Sequence, residues 1–299
     1  MTLTDEKRLA MAEPSSTPDT QAGAATHAAG GDDIWDTHFH VFGPWERYPL
    51  PPNPSYRPEE APFEATRALH ARMGVTRGVI VHGANYGGDH SALLGALAAS
   101  QGAYRGIVII DPDVPDATLR AMHDAGVRGI RFNVLAHLGG GAASFDAGRM
   151  RAAIARVAGY GWHALVHAGP EDTIAVLDAL DGCGVPVVVD HMARLPAGDG
   201  LRSEAGQALL RWLESPQVWV KVSGADRVTQ GQPEQAIAQM RALIAAAPDR
   251  VLWGTDFPHV NIKYAHPDDA ALLDLARRAC GDAATARALL TDNPARLYA

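Results

Sequence analysis

Several features that would define a class at once are scarce in this sequence. Cysteine occurs twice in 299 residues, at Cys183 and Cys280, far apart and outside any CxxC pair. That excludes a disulfide framework and a cysteine-based metal knuckle, and it points to a reducing cytoplasm. Positive charge is also short: 26 Lys and Arg stand against 34 Asp and Glu, for a net charge of -8. Nucleic acid needs a basic face for its phosphates, so it is not an expected partner, although a pocket can be locally positive inside an acidic protein. No apolar run reaches the ~18 residues that span a bilayer. The charged opening from Met1 to Arg8 lacks the apolar stretch of a secretory signal. There is no G-x-S-x-G elbow and neither cysteine lies at a strand end, so nothing supports a serine or cysteine nucleophile.

What is present is a long, regular alternation. Residues 1–33 read as a mobile tail, because from Glu13 to Asp33 the chain holds hardly any large apolar side chain to offset its ordering entropy. Patterned sequence begins at Ile34 and reads as a single domain over 34–299. Strands are expected at 34–42, 78–82, 104–110, 127–134, 163–167, 185–190, 218–223 and 251–255. Amphipathic helices follow at 63–73, 91–101, 116–125, 145–158, 171–180, 200–214, 233–247 and 267–279, with a last helix at 283–290. Near-continuous apolar strands indicate a parallel sheet covered on both faces, and eight strand–helix units in series predict a (β/α)8 TIM barrel. An open doubly wound sheet is the runner-up, weakened by the absence of G-x-G-x-x-G after the first strand. The long, proline-rich connection from Gly43 to Pro62, with Trp45, Tyr48 and Tyr56, leaves the end of strand one where barrel active sites lie.

The strand ends carry the chemistry. Strand one ends Asp36-Thr37-His38-Phe39-His40, and alternation turns His38 and His40 the same way, into the barrel mouth. Other strands end at His82, Arg131 with Asn133, His167, Asp190-His191, Ser223 with Arg227 shortly after, and Thr255-Asp256 followed by His259. One strand histidine is more often structural; a set of them on one rim is a catalytic site. Clustered imidazoles bind a divalent metal or polarise a carbonyl, and a carboxylate beside them moves a proton between water and a leaving oxygen. His38, His40, His191 and Asp256 are therefore the expected centre. Arg131 shares parity with Asn133 and is aimed inward, whereas Arg128 reads as a surface or loop residue; Arg131 and Arg227 offer guanidinium forks for carboxylates.

Asp36-Thr37-His38-Phe39-His40-Val41-Phe42-Gly43-Pro44, Arg128-Gly129-Ile130-Arg131-Phe132-Asn133, Val189-Asp190-His191-Met192, Lys221-Val222-Ser223-Gly224 and Trp253-Gly254-Thr255-Asp256-Phe257-Pro258-His259 together resemble a known group. This is the 2-pyrone-4,6-dicarboxylate lactonase group of the amidohydrolase superfamily, within amidohydrolase-related family 2, and the likeness runs from about Ile34 to Asn293. The resemblance implies a lactone hydrolase of aromatic-acid or sugar-acid catabolism acting on a small anionic substrate. It implies that His38, His40 and His191 polarise the ester carbonyl, and that Asp256 serves as base and then acid. Arg131, Arg227 and Tyr56 would hold substrate carboxylates, with His259 nearby.

The departures bear on substrate and metal. The group carries a further arginine past the R-F-N element, where His137 stands here; it has a serine at the strand-two rim, where Gly83-Ala84-Asn85-Tyr86 stands. His167 replaces a substrate tyrosine, and other amidohydrolases hold one zinc with the residue types found here at His38, His40, His167 and Asp256. The resemblance thus leaves two cofactor states, none or one divalent metal, and two competing activities, a lactone isomerase and a zinc-dependent decarboxylase. A ligand-binding barrel without turnover is the non-catalytic alternative, and the oligomeric state stays open, a homo-oligomer included.

Overall fold

The computed structural model describes residues 33–135 and 145–299. The tail expected at 1–33 lies outside them apart from Asp33, as does His137. Asp33 is tied to the start of the second strand, accepting from Thr76 Oγ1 at 2.9 Å and Arg77 Nε at 3.0 Å.

Eight parallel strands run in sequence order around one sheet: β1 Trp35–Phe39, β2 Arg77–Val81, β3 Tyr104–Val108, β4 Val127–Asn133, β5 His163–His167, β6 Val187–Val189, β7 Val218–Lys221 and β8 Val251–Leu252. The β8 segment returns to β1 through Thr37 N to the Trp253 carbonyl, Asp256 N to the His38 carbonyl and His40 N to the Phe257 carbonyl, at 2.9, 2.8 and 2.8 Å. These bonds close the barrel. Gly254 sits at the seam because a Cβ there would lie 2.5 Å from the His38 nitrogen, too close for any other residue.

The outer layer consists of α1 Phe63–Met73, α2 Ser91–Ala99, α3 Asp116–Asp124, α4 Ala147–Val157, α5 Pro170–Leu180, α6 Glu204–Trp212, the short α7 Ala225–Val228, α8 Ile237–Ala246, α9 Asp269–Cys280, α10 Ala283–Arg287 and α11 Asn293–Tyr298. The expected helix at 233–247 is a 3-10 turn, Pro233–Ala236, running into α8. No helix among the described residues is long and apolar enough to cross a membrane.

Alternation along each strand divides the core in two. Outward side chains such as Ile80, Ile130, Val166, Val189 and Val220 pack on the helices. Inward ones, among them Val79, Ile107, Leu165, Val188, Trp219 and Leu252, fill the amino end of the barrel, where Tyr298 of α11 stops it and stacks on Trp35 at 6.0 Å. The same alternation turns the inward positions at the carboxyl end polar. The proline-rich connection after β1 closes on itself by a bridge between Phe42 and Ala61, and packs Trp45, Tyr48 and Tyr56 on Phe42 and Tyr86 beside the barrel mouth.

Candidate active site

His38, His40, His191 and Asp256 meet at the mouth, each almost without solvent exposure. The Nε2 atoms of His38, His40 and His191 lie 3.6, 3.7 and 3.8 Å from Asp256 Oδ1. What each ring does at its other nitrogen fixes what it presents inward. His38 Nδ1 donates to Asp190 Oδ1 at 2.9 Å and His40 Nδ1 to the Val81 carbonyl at 2.7 Å. Burial pushes the His40 ring down to about 4, and burial with the nearby Lys221 charge holds His38 well below its usual range. Both rings are therefore neutral near pH 7 and turn lone pairs toward Asp256. His191 Nδ1 instead meets the Ser223 hydroxyl at 2.9 Å, a partner that can donate and so leave the ring proton on Nε2. Gly224, at φ 71, lies against this ring, and a Cβ there would come within 3.1 Å of it.

Next to the histidines Lys221, Asp190 and Arg131 form a buried ionic set, of which Lys221 was not among the sequence candidates. Lys221 is fully buried inside the barrel, its Nζ donating to the Thr37 carbonyl at 2.8 Å and lying 3.7 Å from Asp190 Oδ1. Burial pushes this ammonium down to about 8. Arg131 Nη2 reaches Asp190 Oδ2 at 3.0 Å. Burial raises the Asp190 carboxyl, but the groups around it, His191, Lys221 and Arg131 foremost, hold it below the usual carboxylate range. The signal for Lys221 was in the strand all along: it shares parity with the inward Trp219. Asp36 fastens the seam below, accepting from the His38 and Thr255 amides at 3.0 Å each and from the Thr255 hydroxyl at 2.6 Å.

Above the histidines a small cavity of about 70 Å³ opens, enough for a handful of waters. Arg131, His167, Arg227 and Tyr56, all marked from sequence, line it, and so does Arg194, which was not. Arg227 lays its Nε on Asp256 Oδ2 and its Nη2 3.1 Å from the Val260 carbonyl, so the guanidinium covers the carboxylate. His167 Nδ1 donates to Asn133 Oδ1 at 3.0 Å, leaving Nε2 unpaired. His259 lies outside this group: its Nε2 donates to Asp269 Oδ1 of α9 at 2.9 Å and its Nδ1 faces Asp226 at 4.0 Å. His82 stacks between Tyr86 and His90 next to the aromatic loop.

The donor set fits a divalent cation in part. One ligand atom each from His38, His40 and Asp256 lies within 4.8 Å of the others. His167, the fourth donor expected from sequence, does not belong to that group. Three guanidinium groups, Arg131, Arg194 and Arg227, line the same cavity, and like charge disfavours a cation there.

The chain is similar to several known proteins along most of its length. A 2-pyrone-4,6-dicarboxylate hydrolase of Comamonas testosteroni is 35% identical over 275 residues, covering 88% of this chain and 89% of that protein. A 4-sulfomuconolactone hydrolase of Hydrogenophaga intermedia is 33% identical over 269 residues, 88% of each. The crystal structure of a candidate 2-pyrone-4,6-dicarboxylic acid hydrolase of Pseudomonas putida superimposes with a TM-score of 0.79 at 30% identity, covering 90% of this chain and 98% of that one. The amidohydrolase family profile matches residues 35–299, and the chain belongs to the amidohydrolase family.

Proposed function

We propose that this protein opens a small lactone bearing an anionic substituent, by general-base hydrolysis. The observation that carries the reading is the convergence of three imidazole Nε2 atoms on Asp256 Oδ1 beside a wall of guanidinium groups. Asp256 takes a proton from water and returns it to the leaving oxygen. One of His38 and His40, their ring protons directed outward, accepts the water's second hydrogen and holds it against Asp256. His191 donates through Nε2 to the carbonyl oxygen as negative charge develops there. Arg131, Arg227 and Tyr56 receive the substrate's carboxylates. Arg227 covers Asp256 in a cavity too small for a lactone, so an arriving carboxylate that draws the guanidinium onto itself also uncovers the base. The Comamonas and Hydrogenophaga relatives, hydrolases of lactones by name, support the same reaction here. The free cysteines and the net charge of -8 support a cytoplasmic setting without a nucleic-acid partner.

A divalent cation held by His38, His40 and Asp256 would supply Lewis acidity to water or carbonyl. We infer a reaction that runs without one, because Arg227 already occupies Asp256 and two more guanidinium groups line the cavity. Metal analysis of the purified protein, with assays on 2-pyrone-4,6-dicarboxylate in the presence and absence of chelator, tests this. The expected result is turnover with far less than one metal per chain and no response to chelator. One tightly held zinc whose removal stops turnover would instead make His38 and His40 ligands. Asp256→Asn is expected to lower kcat by ~10²–10⁴-fold with little change in KM, since only proton transfer is removed. Full activity in that variant would sink the mechanism.

A further inference from the structure

Asp256 meets the three imidazoles from an unfavourable backbone. Its φ is 68°, in the left-handed region that L-residues avoid because Cβ crowds the following carbonyl oxygen. The bonds made by Asp256 and its two neighbours hold it there. The Asp256 amide donates to the His38 carbonyl at 2.8 Å. Before it, Thr255 donates its amide to Asp36 Oδ1 at 3.0 Å and its hydroxyl to Asp36 Oδ2 at 2.6 Å. After it, the Phe257 amide donates to the same Thr255 hydroxyl at 3.1 Å. Asp36, through Thr255, thus clamps the chain on both sides of Asp256.

Asp36 is itself oriented from the helix layer. His70 of α1 donates its Nε2 proton to Asp36 Oδ2 at 3.1 Å, and its Nδ1 accepts from the Tyr104 hydroxyl at 2.7 Å. Both His70 and Asp36 are buried. Their surroundings are apolar: Phe39 packs edge-on to the His70 ring at 4.9 Å, and Phe63 and Leu69 share the buried face of α1. Packing does not call for this pair, since apolar side chains of similar volume stabilise a core as well or better. Its hydrogen bonds, however, run in one direction. Tyr104 donates to His70 and His70 to Asp36, while Phe257 donates to Thr255 and Thr255 to Asp36. The carboxylate offers only acceptors, and both chains end on it, with two donors on each oxygen once the His38 amide is included.

We propose that His70 is a positioning residue for the base Asp256. Held by Tyr104, it fixes Asp36, and Asp36 through Thr255 keeps Asp256 in the left-handed conformation that sets its Oδ1 among the imidazoles. The proposal rests on the lactone-hydrolase reading for the reaction, but the place of Asp256 can be read without it. Leucine in place of His70 keeps the apolar packing and removes the donor. Glutamine keeps a donor for Asp36 and an acceptor for Tyr104.

The test uses the full chain, with His70→Leu and His70→Gln. On 2-pyrone-4,6-dicarboxylate, His70→Leu is expected to lower kcat by ~10²-fold, the order of loss from a small misplacement of a reacting group, with KM little changed. His70→Gln is expected to recover most of that loss. Crystal structures of the two variants give a second readout, with Asp256 Oδ1 drawn away from the imidazole Nε2 atoms in His70→Leu and back among them in His70→Gln. An unmoved Asp256 in His70→Leu, or a lower thermal midpoint with kcat unchanged, would overturn the proposal. Equal loss of kcat in the leucine and glutamine variants would overturn it too. Should His70→Leu fail to fold, Thr255→Val and Thr255→Ser decide. Valine removes the hydroxyl that joins Asp36 to Phe257 and serine keeps it, so equal kcat in those two also overturns the proposal. If the wild type hydrolyses no lactone while Asp256 is still displaced by leucine and restored by glutamine, the hydrolase reading fails and the positioning role stands.

Discussion

At the scale of single residues, the site is a balance of buried charges. Lys221 and Arg131 both neutralise Asp190, which in turn orients His38. Removing one member of a buried ionic set leaves the others uncompensated, at a cost of roughly 3–5 kcal/mol. Lys221→Met is therefore expected to lower the unfolding free energy by an amount of that order, read as a lower urea midpoint. A midpoint equal to the wild type would mean that Arg131 alone neutralises the carboxylate. The direction of the Asp190 shift gives a pH dependence as well. A carboxyl held below its unfolded value contributes stability that is fully present above about pH 4 and lost as pH falls through its folded value. Acid titration of unfolding should steepen below that point in the wild type and less so in Asp190→Asn.

At the scale of elements, the strand ends and their following turns position the chemistry. β1 presents His38 and His40 by plain alternation, whereas the turn after β6 presents His191 and Arg194 through left-handed backbone. Ala193 sits within that turn at φ 54 and is buried. A β-branched side chain there adds crowding to an already unfavourable conformation, so Ala193→Val is expected to cost about 2 kcal/mol or more and to depress kcat/KM by displacing both neighbours. Ala193→Gly suits the same backbone and should keep activity near wild type. If valine and glycine behave alike, the turn does not hold the site.

At the scale of the whole molecule, the barrel is polar at one end and plugged with apolar side chains at the other. The plug includes Tyr298, the penultimate residue, fully buried against Trp35 and the inward residues of the strands. Tyr298→Ala opens a cavity under the barrel, and a loss of about 3–5 kcal/mol is expected from such a truncation, read as a lower thermal midpoint. An unchanged midpoint would show that neighbouring side chains collapse into the space.

The fold was largely legible because each of its signals is local. Apolar runs of strand length, helix-length amphipathic stretches and their strict alternation lie within a few residues of one another, and eight parallel strands follow from them. Parity along β1 and β4 likewise turned His38, His40 and Arg131 inward. What no local pattern carries is how inward groups pair across the barrel. Arg227 lies on Asp256 from 29 residues away, and Lys221 meets the Thr37 carbonyl from 184. His259, marked from sequence beside the substrate, turns to Asp269 because the loop after β8 reverses with positive φ at Asp256 and His259. Alternation holds only while the chain stays extended; past a strand end, parity no longer says where a side chain points. The sequence by itself therefore determined the barrel and which strand ends are polar. Tertiary structure alone decided which charges neutralise one another, since that depends on distances closed by the folded barrel.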